Sequence, residues 1–505
     1  MQSRREILQL AAALALQGAP TSSPELEEIT LAQLQQGLAG GRWTSVQLVE
    51  KYLARIDQID KHGPAINAVI ELNPDAASIA AALDRERKQN RSRGPLHGIP
   101  VLIKDNIDTA DKMMTTAGSL ALAGPPAPKD AELVTRLRAA GAVILGKTNL
   151  SEWANFRSTH SISGWSGRGG QTHNPFVLDR NPSGSSSGSG AAVSANLCAL
   201  AVGTETDGSV VSPSSINGLV GIKPTVGLIP GSGIVPISHR QDTAGPMART
   251  VTDAALLLGV LAGANYQSSL DVNGLKGARI GVARQIFGFN DAVDALINNA
   301  IGTLKHLGAE IIDPADIPTF AQLGEPEADA LLWEFKADLN AYLKTRGGAV
   351  RTLKDIIDFN DRDRAREMPY FGQDQMLKAQ ARADTTNKTY IDLVARLNRL
   401  SRQDGIDAIL SRLKLDALVA PTDGPAWPID YVDGDHFSGG SASPPAIAGY
   451  PHVTVPAGPV FGLPVGLSFF GTARSEAKLI RYAFAFEQAT KARRPPQFLS
   501  SVKFT

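Results

Sequence analysis

Cysteine is almost absent from this sequence: Cys198 is the single cysteine among 505 residues. One cysteine cannot form an intramolecular disulfide or a cysteine-based metal cluster. The eight histidines are scattered, and no two of them have the spacing of metal ligands on one helix face. We therefore expect neither a metal ion nor any other cofactor.

The sequence also lacks an excess of charge, because 50 Lys and Arg residues balance 50 Asp and Glu residues. A nucleic-acid partner would require a clustered basic face, so none is expected. No uninterrupted apolar run approaches the roughly 18 residues of a membrane-spanning helix, so no membrane partner is expected either. The partner that remains is a small-molecule or peptide substrate, and composition leaves the oligomeric state open.

The first 20 residues combine a basic start with small and apolar residues. Arg4 and Arg5 precede the apolar run at 11–16, which resembles a bacterial export signal of the twin-arginine kind. Gln9 interrupts the apolar character, and no cleavage site stands out. The alternatives are export to the periplasm or a cytoplasmic protein with an N-terminal helix, and the sequence does not decide whether residues 1–20 are removed.

Apolar strands and amphipathic helices alternate along the chain, which is typical of an α/β protein. A charged stretch at about 325–402 predicts an inserted helical layer, and the small-residue run at 191–201 predicts a buried helix. The periodicity predicts further helices at 45–59, 76–88, 133–139, 291–307 and 476–492, and strands at 99–103, 142–145, 277–283, 309–312, 417–420, 452–455 and 464–470.

Two short motifs match catalytic patterns but occur in the wrong structural context. Residues 141–148 fit the P-loop pattern, yet the four variable positions form an apolar strand where a flexible phosphate-binding loop is needed. Residues 184–188 fit Gly-x-Ser-x-Gly, but turn residues rather than a strand precede them. Neither nucleotide binding nor a Ser-His-Asp triad is favoured.

A third constellation combines three separate stretches. Lys104 ends the strand at 99–103, the tract at 180–193 is rich in serine and glycine, and Ser209 follows Asp-Gly in the stretch 203–213. A Gly/Ser tract is usually a flexible linker. This one is followed directly by a predicted helix, and serine, serine and lysine are the groups that a Ser-Ser-Lys hydrolase requires.

These stretches resemble the amidase signature family over nearly the whole chain, from Gly-Ile-Pro-Val-Leu-Ile-Lys104 to Gly-Leu-Pro-Val-Gly466. The resemblance implies one α/β domain over residues 21–505, built on a single large mixed β-sheet flanked on both sides by helices. It assigns the nucleophile to Ser209, a bridging serine to Ser185 and the base to Lys104. It also implies a cis peptide bond between Gly184 and Ser185.

The chemistry of these groups agrees with the assigned roles. Lysine accepts a proton only when neutral, which near pH 7 requires its usual pKa of about 10.4 to fall by roughly three units. Ser185 would pass the Ser209 proton to Lys104 and later return it to the departing amine. Backbone N–H groups of Thr206, Asp207, Gly208 and Ser209 are the candidate oxyanion hole for an acyl-enzyme reaction.

The turn before Ser209 departs from the usual family pattern, since Asp207 replaces a glycine and Glu205 stands where aspartate is common. With the stretches 147–156, 161–165 and 169–175, this turn resembles the bacterial peptide amidase branch, which removes the C-terminal amide of peptides. Asp207 is a candidate to accept a hydrogen bond from a substrate N–H, with a turn-stabilising role as the alternative.

Trp427 is a second candidate for substrate binding. The other functions left open are a general aliphatic or aryl amidase of the same family and a catalytically silent binding protein on the same scaffold. The amidotransferase component that acts on mischarged tRNA is less favoured, because it works in a cytoplasmic complex whereas residues 1–20 resemble an export signal.

Overall fold

The computed structural model describes residues 24–503, so the predicted export segment at 1–20 lies outside the described residues. Eleven strands of the described chain form one sheet, and two more form a separate hairpin. The strands are β1 (Val69–Leu72), β2 (Pro100–Lys104), β3 (Val143–Thr148), β4 (Trp165–Ser166), β5 (Gly170–Gln171), β6 (Leu200–Glu205), β7 (Val220–Lys223), β8 (Thr243–Ala248), β9 (Arg279–Val282), β10 (Glu310–Ile312), β11 (Ala417–Pro421), β12 (His452–Val460) and β13 (Leu463–Phe470).

The spatial order of the sheet is β1-β3-β2-β6-β8-β7-β12-β13-β11-β9-β10, and β4 pairs with β5. Strand β2 runs parallel to both of its neighbours, β3 and β6, whereas β8 runs antiparallel to β6 and β7. Strand β13 is antiparallel to β12 and β11, and β9 is parallel to β11 and β10. The expected α/β fold with a large mixed sheet is confirmed.

Helices flank this sheet on both sides. They are α1 (Leu31–Ala39), α2 (Ser45–Arg55), α3 (Ala76–Lys88), α4 (Glu132–Ala139), α5 (Ser187–Ser194), α6 (Val211–Ile216), α7 (Val251–Ala262), α8 (Asp291–His306), α9 (Gly324–Arg346), α10 (Leu353–Arg362), α11 (Arg364–Glu367), α12 (Asp374–Gln380), α13 (Lys388–Asn398), α14 (Asp407–Leu413), α15 (Ser443–Ile447) and α16 (Glu476–Thr490). Two π-helical segments, Ile56–Lys61 and Arg399–Ile406, extend α2 and α13.

Side-chain caps determine where several helices begin. The Thr44 hydroxyl accepts the N–H of Gln47, and the Gln47 side chain accepts the N–H of Thr44, which closes a capping box at the start of α2. Thr30 and Gln33 make the same reciprocal pair at α1. Helix α2 begins at the predicted residue 45, and α3 has the predicted bounds 76–88.

The small-residue run at 191–201 differs from its prediction as one helix. Helix α5 begins earlier, at Ser187 inside the serine tract, ends at Ser194, and is followed by β6 from Leu200. All residues of α5 are buried, so the sequence has no polar face to mark the helix bounds. A Cβ on Gly188 would lie 2.2 Å from the Ala68 carbonyl oxygen, which is why this buried helix needs glycine.

The charged stretch predicted as a helical layer contains α9 to α13. Its apolar residues form a second core cluster with Trp153 and Phe156, and the rings of Phe335 and Phe156 lie 5.0 Å apart in an edge-to-face contact.

The P-loop-like residues 143–148 are strand β3, as their apolar character predicts. Within residues 24–503, no helix is long and apolar enough to cross a membrane.

Candidate active site

Lys104 is the last residue of β2 and is completely buried. Its Nζ donates hydrogen bonds to Ser185 Oγ at 2.7 Å, to Thr204 Oγ1 at 3.0 Å and to the Thr204 carbonyl oxygen at 3.1 Å. Thr204 is close because β6 lies parallel to β2, with Val202 opposite Ile103. The sheet thus brings together groups that are 81 and 100 positions apart in sequence.

Burial decides the charge of Lys104. Loss of hydration disfavours the ammonium form and lowers the pKa of Lys104 to about 7, while the carboxylates of Asp242 and Glu205 act in the opposite direction. The amine can therefore be neutral near pH 7, which is the condition for accepting a proton.

Ser185 lies in the serine tract between the strand that carries Lys104 and the turn that carries Ser209. The Gly184–Ser185 peptide bond is cis, as the family resemblance implies. The Ser185 carbonyl accepts the Ser151 N–H at 3.1 Å, and the next N–H, that of Ser186, donates to the Ser209 carbonyl at 3.2 Å. These backbone contacts fix the tract against the turn.

The turn at 206–209 connects β6 to α6. Glu205 anchors it, since its carboxylate accepts the N–H groups of Val210 at 2.7 Å and Val211 at 3.0 Å. Gly208 has a φ of +76°, a left-handed conformation that favours glycine. Ser209 is 7% exposed, so a small part of the side chain remains accessible.

The structure distinguishes among the predicted oxyanion donors. Within residues 24–503, the N–H groups of Asp207 and Ser209 donate no hydrogen bond to another protein group. The Thr206 N–H likewise has no acceptor there, whereas the Gly208 N–H faces the Glu205 carboxylate. No hydrogen bond in the described chain joins the Ser185 and Ser209 hydroxyls, so their contact during the reaction stays a prediction.

Asp207 has side-chain partners that the sequence did not reveal. Its half-buried carboxyl faces the Ser443 hydroxyl and the carboxyl of Glu327 on α9. Burial raises the pKa of Asp207 to about 6. A contact between Asp207 and substrate stays a prediction. The contacts with Ser443 and Glu327 also give Asp207 a structural role in the turn.

Trp427 lies in an apolar cluster with Phe176, Ile216 and Leu463 and is 8% exposed. Its indole N–H donates to the Asp435 carboxylate at 3.1 Å. Packing and this hydrogen bond account for the position of the Trp427 side chain. A role for Trp427 in binding substrate stays a prediction.

Thr204 is the main site residue that sequence reasoning missed. Its hydroxyl oxygen accepts hydrogen bonds from both Lys104 Nζ and Asn106 Nδ2, the latter at 2.9 Å. The available signal was its place in the stretch 203–213, five residues before Ser209. Glu327 had no comparable signal, because it lies in the charged helical stretch far from every recognised motif.

Comparisons with known proteins identify the family of this chain. Residues 47–480 match the sequence model of the amidase family. A "probable amidase" of Arabidopsis thaliana is 43% identical, with 95% of this chain and 93% of the relative aligned. The solved structure of peptide amidase from Stenotrophomonas maltophilia is 50% identical, has a TM-score of 0.90, and aligns over 95% of this chain and 100% of that one. One component of the glutamyl-tRNA(Gln) amidotransferase of Chloroflexus aurantiacus is 35% identical, with 92% of this chain and 98% of the relative aligned. The chain therefore belongs to the amidase family.

Proposed function

We propose that this amidase hydrolyses carboxamides through an acyl-enzyme, with Ser209 as nucleophile, Ser185 as proton relay and Lys104 as base. The observation that carries the proposal is the 2.7 Å hydrogen bond between Lys104 Nζ and Ser185 Oγ, made by a buried lysine whose pKa is about 7. A serine hydroxyl is a weak nucleophile until a base removes its proton, and this amine can do so at neutral pH.

The reaction begins when Ser209 Oγ attacks the carbonyl carbon of the amide. The Ser209 proton moves to Ser185 Oγ as the Ser185 proton moves to Lys104 Nζ. The carbonyl oxygen becomes an oxyanion, and the free N–H groups of Asp207 and Ser209 stabilise it.

Collapse of this intermediate breaks the C–N bond. The proton held by Lys104 returns through Ser185 to the leaving nitrogen, which departs as ammonia from a primary amide. Water then attacks the acyl-enzyme with Lys104 and Ser185 again removing a proton, and Ser209 is released with the carboxylic acid.

We further propose that the substrate is the C-terminal amide of a peptide. The 50% identity to a peptide amidase over 95% of this chain supports that specificity. Asp207 supports it chemically, because a carboxyl beside the oxyanion turn can accept a hydrogen bond from a backbone N–H, which a peptide amide has and a simple aliphatic amide lacks.

Ammonia release from an amidated dipeptide, free glutamine, propionamide and benzamide tests the proposal. We expect activity concentrated on the dipeptide amide and lost in Ser209→Ala by a factor of about 10³ or more. Asp207→Gly should lower the rate on the peptide amide more than that on propionamide.

Two other results would change the assignment. Turnover confined to propionamide or benzamide would indicate a general aliphatic or aryl amidase with the same mechanism. Full activity of the Ser209→Ala protein would rule out the proposed nucleophile.

A further inference from the structure

Helix α9 contacts the loop at 237–242 through acidic side chains on one face. The Glu334 carboxylate accepts hydrogen bonds from Arg240 Nε at 2.9 Å and from the Ser238 hydroxyl. One helical turn further on, the Asp338 carboxylate accepts the His239 backbone N–H at 2.7 Å. These contacts hold the helix against a loop that also supports the oxyanion turn, since Asp242 of that loop accepts the Thr206 hydroxyl at 2.5 Å.

Glu327 lies on the same helix, seven positions before Glu334, and reaches the oxyanion turn itself. Its carboxyl faces that of Asp207. Gln241 Nε2 donates to Glu327 Oε1 at 2.7 Å and to the Thr206 carbonyl oxygen at 3.4 Å, so one amide contacts both the helix and the turn. Glu327 is 7% exposed, which leaves little water to replace these partners.

Two carboxyl groups form a hydrogen bond only when one of them is protonated, because an ionised carboxylate only accepts. Burial and the Asp207 charge raise the pKa of Glu327 well above its usual value, with Arg240 and the Gln241 amide acting in the opposite direction. Around Asp207, the Glu205 carboxylate raises the pKa, whereas the Ser443 hydroxyl and the Lys223 ammonium lower it. The pair is therefore suited to hold one shared proton.

We propose that Glu327 is a positioning residue that holds Asp207 in place through a shared proton, so that Asp207 presents a single fixed acceptor to the substrate N–H. This inference rests on the proposed function. It assigns a part in substrate selection to the helical layer: one carboxyl of α9 sets the orientation of the acidic residue beside Ser209.

A fixed acceptor at Asp207 should speed the hydrolysis of peptide amides more than that of simple amides. A peptide amide would donate its backbone N–H to Asp207, whereas propionamide has no such group. Loss of Glu327 should therefore lower the preference for the peptide amide, and loss of the shared proton at alkaline pH should do the same in the unaltered protein.

Two substitutions of Glu327 separate the shared proton from simple packing. Glu327→Gln keeps a permanent N–H donor toward Asp207 and an oxygen for Gln241, whereas Glu327→Ala removes both. We expect Glu327→Ala to lower kcat/KM for an amidated dipeptide about tenfold or more and for propionamide less, with Glu327→Gln within about threefold of the unaltered protein near pH 7.5. Glu325→Gln, at an exposed carboxyl two positions earlier on α9, is the matched control and should change neither value.

A pH profile of the same reaction provides the second measurement. The unaltered protein should lose kcat/KM for the dipeptide amide at alkaline pH as the shared proton leaves, and Glu327→Gln should lack this decline.

The proposal is overturned if Glu327→Ala matches the unaltered protein on both substrates or if Glu327→Gln shows the same alkaline decline. The Glu327→Gln profile decides the matter if Glu327→Ala does not fold. Ser209→Ala, measured alongside, reports on the proposed function separately: a dead Ser209→Ala with an unimpaired Glu327→Ala defeats only the inference about Glu327.

Discussion

At the scale of single residues, the charge of Lys104 is the property on which the proposed chemistry depends. Among residues 24–503, its Nζ has three acceptors, Ser185 Oγ and two oxygens of Thr204, and none of these contacts is with a carboxylate. Hydroxyl and carbonyl oxygens orient the amine without the strong preference for the ammonium form that an adjacent carboxylate would impose. Burial can therefore lower the pKa of Lys104 to about 7 while its position stays fixed.

This pKa predicts the acid side of the activity profile. Because only the neutral amine accepts a proton, kcat/KM should rise with pH on the acid side of the profile, with a midpoint near 7. Lys104→Arg should lose activity about 10²–10⁴-fold at every pH, since arginine stays protonated. Lys112→Arg, at an exposed lysine paired with Asp75, is the control. A midpoint near the carboxyl range, with no step around pH 7, would contradict the role of Lys104.

Residue types in the motifs made Lys104, Ser185 and Ser209 identifiable from the sequence, because each occurs in a stretch with a recognisable local pattern. The sequence did not identify Thr204 as the partner of Lys104, since that contact depends on the register of β2 against β6. Glu327 was not identifiable at all. Glu327 lies 120 positions after Asp207 in the sequence. The two residues meet only because α9 packs on the loop at 237–242.

At the scale of secondary-structure elements, helices with a polar and an apolar face were the easiest to predict. Helix α3 matches its prediction at 76–88, and α8 ends at His306, one residue before the predicted end. Strands β7 and β8 were missed: both are short, and their glycine and proline residues hide the strand pattern. The buried helix α5 was misplaced because every one of its side chains faces protein.

A buried cluster of charges joins the helical layer, α9 to α13, to the sheet-bearing part, which is the rest of the described chain. Arg157 is fully buried, and its guanidinium donates to Glu152 Oε1 at 2.6 Å and lies 3.8 Å from Glu367 Oε2. The two glutamate carboxyls face each other, and we expect them to share one proton. Burial raises the pKa of both, that of Glu152 to about 8, although Arg157 acts in the opposite direction.

This cluster makes stability depend on pH in a direction that can be measured. A carboxyl with a raised pKa in the folded state stabilises the fold fully below its unfolded pKa of 4.5, and the contribution is lost as pH rises toward 8. Glu367→Gln replaces the shared proton with a permanent N–H donor. The free energy of unfolding of the unaltered protein should therefore fall relative to that of Glu367→Gln by up to about 1.4 kcal/mol per pH unit between roughly pH 5 and 7.5.

Urea unfolding at four pH values across this interval measures the difference, and Asp358→Asn, at an exposed carboxyl of α10, is the control. A constant difference between Glu367→Gln and the unaltered protein from pH 5 to 8 would show that the two carboxyls share no proton.

At the scale of the whole molecule, the apolar contacts between the helical layer and the sheet-bearing part support the predicted single domain over residues 21–505. Phe335 of α9 is completely buried and packs edge-to-face on Phe156, which follows β3 in the chain. Phe335→Ala should lower the free energy of unfolding by about 3–5 kcal/mol, because it removes an aromatic ring and leaves a cavity. If the layer and the sheet unfold together, differential scanning calorimetry of Phe335→Ala will show one transition at a lower temperature. An early transition of the layer alone, with the sheet still melting at the temperature of the unaltered protein, would instead divide the chain into two units. The oxyanion turn would then depend through Glu327 on a layer of separate stability, and activity would be lost at the first transition rather than at the second.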